Sequence, residues 1–220
     1  VGQWGMINWE DLPNPGYKAF AEMIAQAKQE SPAPIIGSIG PLESVDEQLL
    51  IAHAFEDAGA DALELDFKWG AGFGDDLLSR LTGAIKQVVR IPVIVKLSPY
   101  IGDIVDNAIA AEQAGADAIS AINTVYPAMK INVDTGKPAL SFGSGGLSGG
   151  PILTIAVAAV YRIYKATTIP VLASGGVTCA EDALQHVMAG ADAVQVCTAA
   201  MIEGPEVFTR LNTELDALLS

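Results

Sequence analysis

The sequence predicts an α/β fold of the parallel (β/α)8 class, a TIM barrel, and three observations carry that reading. A proline-opened apolar run recurs as Ala33-Pro-Ile-Ile-Gly-Ser38, Ile91-Pro-Val-Ile-Val-Lys96 and Ile169-Pro-Val-Leu-Ala-Ser174. A second phrase, Ala58-Gly-Ala-Asp-Ala-Leu-Glu-Leu65, returns as Ala114-Gly-Ala-Asp-Ala-Ile-Ser-Ala121 and Ala189-Gly-Ala-Asp-Ala-Val-Gln-Val196, each copy following a helical stretch and leading into a strand. The apolar runs are continuous rather than alternating, as in strands covered on both faces. Helices packed between successive strands make those strands parallel neighbours.

Taken in order, residues 1–16 read as irregular. A helix over about 16–30 leads to a strand at 35–39, opened by a proline whose missing N–H does little harm there. The helix over about 45–58 has acids in its first turn, as the helix dipole favours, and ends at a glycine suited to a helix C-terminus. A strand at 62–67, a glycine-rich loop at 70–74 and a helix over about 75–88 follow. Next come a strand at 93–97, a helix at 101–114 and a strand at 118–123. A long loop, about 124–150, precedes a helix at 151–167 that Pro151 opens. A strand at 169–174, a helix at 180–188, a strand at 193–197 and a helix at 205–219 complete the chain. That is about six βα units where a closed barrel needs eight. The expectation is a single domain over 1–220 that is N-terminally incomplete. About 50–60 upstream residues, or a partner chain, would supply two more strands. Without them the strands at 35–39 and 193–197 are open edges.

Composition narrows the function. A length of 220 residues, half of them hydrophobic, suits one domain with a large core. No apolar run approaches the roughly 18 residues of a membrane span. The start, Val1-Gly-Gln-Trp-Gly-Met-Ile, lacks the basic region of a secretory signal. A net charge of −14 argues against a nucleic-acid partner but not against one bound phosphate, which backbone amides can hold. Cys179 and Cys197 have no metal-ligand spacing and form no disulfide framework, so a reducing cytoplasm is expected. His53 and His186 read as surface or packing residues.

Reactive residues of such a barrel lie where strands end. Those positions here are Ser38, Asp66 with Lys68, Lys96, Asn123 with Thr124, Gly175-Gly176 and Cys197-Thr198. Glycines at a strand end let N–H groups approach an anion, and the last two loops of a barrel are the usual phosphate site. Gly175, Gly176, Cys197 and Thr198 therefore read as a phosphate cradle, although Gly-Gly also serves a bare tight turn. Lys96 at a barrel mouth meets an anion or a polar ring, or snorkels to the rim. Asn123 offers a donor and an acceptor to a planar heterocycle, or forms a turn. The loop Ser141-Phe-Gly-Ser-Gly-Gly-Leu-Ser-Gly-Gly150 adds a second set of amides.

With Val95-Lys-Leu-Ser-Pro99, Ile122-Asn-Thr124, Gly145-Gly-Leu-Ser-Gly149, Ser174-Gly-Gly-Val177 and Val196-Cys-Thr198 in this order and spacing, the chain resembles the dihydroorotate dehydrogenases. It is similar also to the flavin domain of dihydropyrimidine dehydrogenase. The resemblance implies an FMN-dependent oxidoreductase of pyrimidine metabolism, working on a CH–CH bond as a homodimer or as a subunit of a larger complex. It implies FMN contacts from Ser38, Lys96, Asn123, Gly146, Ser148, Gly175, Gly176, Cys197 and Thr198. Asn8, Leu12, Asn123 and Thr124 would face a pyrimidine-like substrate. The family's Asn-Ser-Met-Gly-Leu-Pro-Asn segment stands here as Asn8-Trp-Glu-Asp-Leu-Pro-Asn14, with the acids Glu10 and Asp11 where a substrate carboxylate would lie. Its catalytic Asn-x-Ser-Cys-Pro-Asn stands as Asp66-Phe-Lys-Trp-Gly-Ala71, which puts Trp69 in place of the base. Lys68 and Asp66 are the substitutes at hand. Two other functions fit the same residues: a catalytically silent, flavin-holding or structural subunit, and a phosphate-binding barrel enzyme without flavin.

Overall fold

A computed structural model of the chain describes residues 5–9, 13–40, 44–67 and 76–220. Its elements begin with β1 (Gly5–Asn8), α1 (Tyr17–Glu30), β2 (Ile36–Ile39), α2 (Val45–Asp57), β3 (Ala62–Asp66) and α3 (Leu77–Val88). There follow β4 (Val93–Leu97), α4 (Ile104–Gln113), β5 (Ala118–Ala121), β6 (Val125–Ala128), β7 (Ile131–Asn132), β8 (Lys137–Pro138) and β9 (Gly145–Gly149). The chain closes with α5 (Leu153–Tyr164), β10 (Val171–Ser174), α6 (Ala180–Met188), β11 (Ala193–Gln195), α7 (Thr198–Glu203) and α8 (Glu206–Leu219).

The strands β2, β3, β4, β5, β10 and β11 form one parallel sheet in that order. The order never reverses, which is the winding of a barrel wall; a doubly wound sheet reverses at its switch point. The wall is also strongly curled. Lys96 on β4 and Gln195 on β11 stand three strand spacings apart, roughly 14 Å in a flat sheet, yet Lys96 Nζ and Gln195 Oε1 are 3.4 Å apart. The fold is therefore six strands of a partial TIM barrel. β2 and β11 are its outer strands, and no described strand pairs with their far sides.

Alternation along the strands sets two layers on the concave face. Ala62, Ile94 and Ala118, with Leu172 against them, make an apolar floor. Two residues further on, Glu64, Lys96, Ser120, Ser174 and Gln195 make a polar tier. The convex face carries Val95, Leu97, Ile119, Ala121, Val171 and Ala173 into the main core, against Ile104, Ala108, Ala156, Val160 and Ile163 of the helices. The continuous apolar runs are thus buried on both faces only in their lower half.

The repeated Ala-Gly-Ala-Asp phrase has a physical reason at its acid. Asp61 Oδ2 accepts the N–H of Ile35 at 2.7 Å, Asp117 Oδ2 that of Val93 at 2.6 Å and Asp192 Oδ2 that of Val171 at 2.9 Å. Each aspartate caps the start of the preceding strand, while its own backbone N–H returns a bond to the same residue. Lys28 and Lys86 pair with Asp61 and Asp117, and with the bond to Ile35 this holds the Asp61 carboxyl below its ordinary range.

Three expectations change. Residues 1–16 are not wholly irregular: β1 pairs antiparallel with β9, Asn8 opposite Gly146. The stretch 124–150 is not one loop. It holds β6 and β9 of a three-stranded sheet ordered β1-β9-β6, and the β7-β8 hairpin. The strand expected at 193–197 stops at Gln195, and Thr198 opens the short helix α7. The other helices and strands lie within a few residues of their expected bounds.

Candidate active site

One cleft opens at the C-terminal ends of β4, β5, β10 and β11, with β1 and β9 as its cover. Of the residues expected at the site, it gathers Asn8, Lys96, Asn123, Thr124, Ser148, Gly175, Gly176, Cys197 and Thr198. The two glycine loops converge there. Thr198 Oγ1 donates to Ser148 Oγ at 2.9 Å, joining α7 to β9 beside Gly175-Gly176. Gly175 and Gly176 have φ of 118° and 89°, and a Cβ on Gly176 would run into the backbone of Leu153 at the start of α5. The loop is thus pressed against a helix start, with no side chain between its amides and the cleft.

Lys96 sits in a ring of acceptors. Its Nζ is 3.6 Å from Glu64 Oε2, 3.4 Å from Ser120 Oγ and 3.4 Å from Gln195 Oε1, while Ser120 Oγ donates to Gln195 Oε1 at 3.0 Å. Glu64 escaped the sequence reading because it stands mid-strand in an apolar phrase, and Gln195 because its strand was expected to run on to 197. The signal for Glu64 was a polar residue two positions beyond the floor residue Ala62. The Lys96 and Glu64 side chains are 16 % and 12 % exposed, so neither charge is easily left alone. Glu64→Leu is expected to cost about 1–3 kcal/mol by stranding the ammonium, and Glu64→Leu with Lys96→Met less than the two single changes added. Urea unfolding of the four species checks this; strict additivity would show that the pair does not interact.

Asn123 is fixed from both ends. Its Oδ1 accepts the Thr124 N–H at 2.7 Å, and its Nδ2 donates to Asp66 Oδ1 at 2.6 Å. Asp66 thus stands behind Asn123 and does not line the cleft itself. Ser38 is exposed on the outer strand β2, its hydroxyl 3.5 Å from Glu64, so it belongs to the polar tier and not to the cleft. Gly146 is buried in β9, where its missing Cβ makes room for the Thr124 side chain. It spaces the cover without lining the cleft. Leu12, Lys68 and Trp69, with Glu10 and Asp11, lie outside the described residues.

An aromatic rim adjoins Asn8. Trp9 stacks on Phe142 with ring centroids 4.7 Å apart and leans on Tyr126 at 5.8 Å, which meets Tyr100 at 5.6 Å. Burial, and to a lesser degree the charge of Asp66, pushes the Tyr100 phenol up, so it stays protonated. Nothing in the local pattern predicts this rim, since its four rings come from four separate segments. Among the described residues no cluster of His, Cys, Asp and Glu could hold a metal ion, and no helix is long and apolar enough to cross a membrane.

A curled parallel wall with a glycine-lined cleft at the C-terminal ends of its strands, a lysine in the wall and an asparagine beside it has the site placement of an α/β-barrel enzyme. Residues 2–219 match the dihydroorotate dehydrogenase family. The chain is 39 % identical over 224 residues to the dihydroorotate dehydrogenase B (NAD(+)) catalytic subunit of Methanothermobacter thermautotrophicus, an alignment covering 98 % of this chain and 73 % of that protein. It is 41 % identical to the subunit of the same name from Geobacillus kaustophilus, over 98 % of this chain and 71 % of that one. Against that of Thermococcus kodakarensis the identity is 37 %, over 98 % and 72 %. The chain belongs to the dihydroorotate dehydrogenase family.

Proposed function

We propose that this chain is an FMN-dependent oxidoreductase of the dihydroorotate dehydrogenase type, residues 1–220 forming one flavin-binding barrel domain. The observation that carries the reading is the convergence of Ser148 and Thr198, 2.9 Å apart, on the bare amides of Gly175 and Gly176. The cleft fits a phosphate where its glycines leave no side chain in the way. Ser148, Gly175, Gly176, Cys197 and Thr198 would hold that phosphate. Lys96, its ammonium kept inside the wall by Glu64 and Gln195, would meet the electron-rich edge of the ring system. Bound FMN supplies a hydride acceptor on a planar ring.

The protein's own share is binding, orientation and shelter. Asn123, held by Thr124 and Asp66, presents one fixed amide to a substrate ring, with Asn8 opposite. The aromatic rim shields that side from water. Asp66 accepts from Asn123 and orients it from behind the cleft, which leaves Lys68 as the candidate acid or base for the substrate proton. The named relatives are catalytic subunits, which supports a place in a multi-subunit assembly. Both cysteines are free thiols, in keeping with a cytoplasmic setting.

Flavin binding is the test. The full-length protein is expected to carry or take up FMN and to show its yellow absorption. Lys96→Ala should weaken flavin binding or slow flavin reduction more than Lys130→Ala, a change at an exposed loop residue. A colourless protein that takes up no FMN would sink the reading in favour of a phosphate-binding barrel without flavin. A catalytically silent, flavin-holding subunit is favoured by one observation, Trp69 at the position of the family's base. Flavin that binds but is reduced by no dihydropyrimidine would decide for it.

A further inference from the structure

We propose that His186 is a positioning residue for the phosphate cradle: it locks the Gly175–Gly176 peptide in the orientation that turns the Gly176 N–H into the cleft. The nature of the phosphate ligand rests on the FMN reading above; the role of His186 does not.

His186 lies on α6, outside the wall, and is fully buried. Its Nε2 is 2.9 Å from the carbonyl oxygen of Gly175. A carbonyl can only accept, so Nε2 carries the hydrogen and donates. Burial lowers the basicity of the ring, which is therefore neutral, with Nδ1 as the bare nitrogen. Among the described residues Nδ1 has no hydrogen-bond partner. An apolar side chain would fill such a slot without leaving a buried polar atom unpaired. The one bond that explains a histidine here is the bond to Gly175.

That bond has a consequence one atom further along. In a trans peptide the carbonyl oxygen and the next N–H point to opposite sides. With the Gly175 oxygen held outward toward α6, the Gly176 N–H points inward, toward the cleft both glycines line. Two consecutive glycines at positive φ make this peptide unusually free to rotate. No described residue accepts from the Gly176 N–H. The cradle therefore needs an outside anchor to keep its donor aimed, and His186 is the residue that provides one.

The experiment compares wild type with His186→Phe and His186→Gln in the full-length protein. FMN and riboflavin, which lacks the phosphate, are titrated by flavin fluorescence. Inorganic phosphate is titrated by the rise in melting temperature. His186→Phe should weaken FMN on the order of tenfold, leave riboflavin unchanged and abolish the phosphate-induced shift, while His186→Gln, which keeps a donor, recovers part of the loss. Should His186→Phe not fold, His186→Met, a flexible filler, is read in the same way. Unchanged FMN binding in the folded variant, or equal weakening of FMN and riboflavin, overturns the proposal. Wild type that binds phosphate but no FMN removes the flavin reading alone. Wild type that binds neither removes both.

Discussion

Gly176→Ala is expected to abolish FMN binding and to cost about 2–5 kcal/mol of stability. Two penalties act together. At φ 89° an L side chain is strained. The new Cβ would also run into Leu153 at its Cα, Cβ and backbone N, and backbone cannot swing aside as a long side chain can. The loop or the start of α5 must then move, and either movement takes the cradle amides off their target. Flavin titration together with thermal unfolding checks it. Normal FMN affinity in Gly176→Ala would mean that the Gly-Gly pair is only a turn.

The second large effect is on the reaction. Dihydroorotate is expected to be turned over slower than is ordinary for the family by a factor of about 10²–10⁴, the usual cost of losing a general base. By the family pattern Trp69 falls at the base position, and an indole cannot take a proton. By the same pattern, Glu10 and Asp11 fall in the segment expected to meet a substrate carboxylate, which their negative charge would repel. Asp66, where the family pattern has asparagine, accepts from Asn123 at 2.6 Å and can offer a substrate no hydrogen of its own while ionised. Trp69→Cys alone should not restore the rate, because the asparagine pattern around it is absent too. Steady-state oxidation of dihydroorotate at family rates, or rescue by that one change, would refute this. Faster turnover of an uncharged dihydropyrimidine than of dihydroorotate would agree with it.

The parallel wall was legible because its signals are local. Proline, apolar run, helix and Ala-Gly-Ala-Asp lie within some thirty residues of one another, and the phrase repeats. The cover of the cleft was not legible, for the opposite reason. β9 is Gly-Gly-Leu-Ser-Gly, a composition that disfavours strands. It is a strand because β1, from the far end of the chain, supplies its ladder. Its glycines are there for closeness: a Cβ on Gly145 would run into the Asn8 carbonyl and one on Gly146 into Thr124. A loop reading follows from composition, and a strand only from a partner that composition cannot show. The site divides along the same line. Lys96, Asn123 and the Gly175-Gly176 pair stand at strand ends and were found by position. Glu64 stands mid-strand, Gln195 ends a strand that was expected to run on to 197, and His186 lies on a helix, so they became visible only once the wall was curled.

The aspartate clamps tie strands in twos: β2 with β3 through Asp61, β4 with β5 through Asp117, β10 with β11 through Asp192. Between the twos the stitching is of another kind. Glu56 near the end of α2 accepts the N–H groups of Arg90 and Ile91 ahead of β4, and Glu112 near the end of α4 accepts the N–H and hydroxyl of Thr168 ahead of β10. The wall is thus built as three tandem two-strand modules in series, each closed internally by a strand-to-strand acid and coupled to the next by a helix-to-loop acid. The last two modules are nevertheless packed into one core, since Val95, Ile119, Val171 and Ala173 share a cluster with Ile104, Ala156 and Val160. The cleft spans the last two modules, with Lys96 and Asn123 from one and Gly175, Gly176 and Gln195 from the other. A ligand bound there adds to a seam already crossed by the β5–β10 ladder, by the side chains of Glu112 and Arg162, and by the bonds of Lys96 and Ser120 to Gln195, so it acts as further mortar between them.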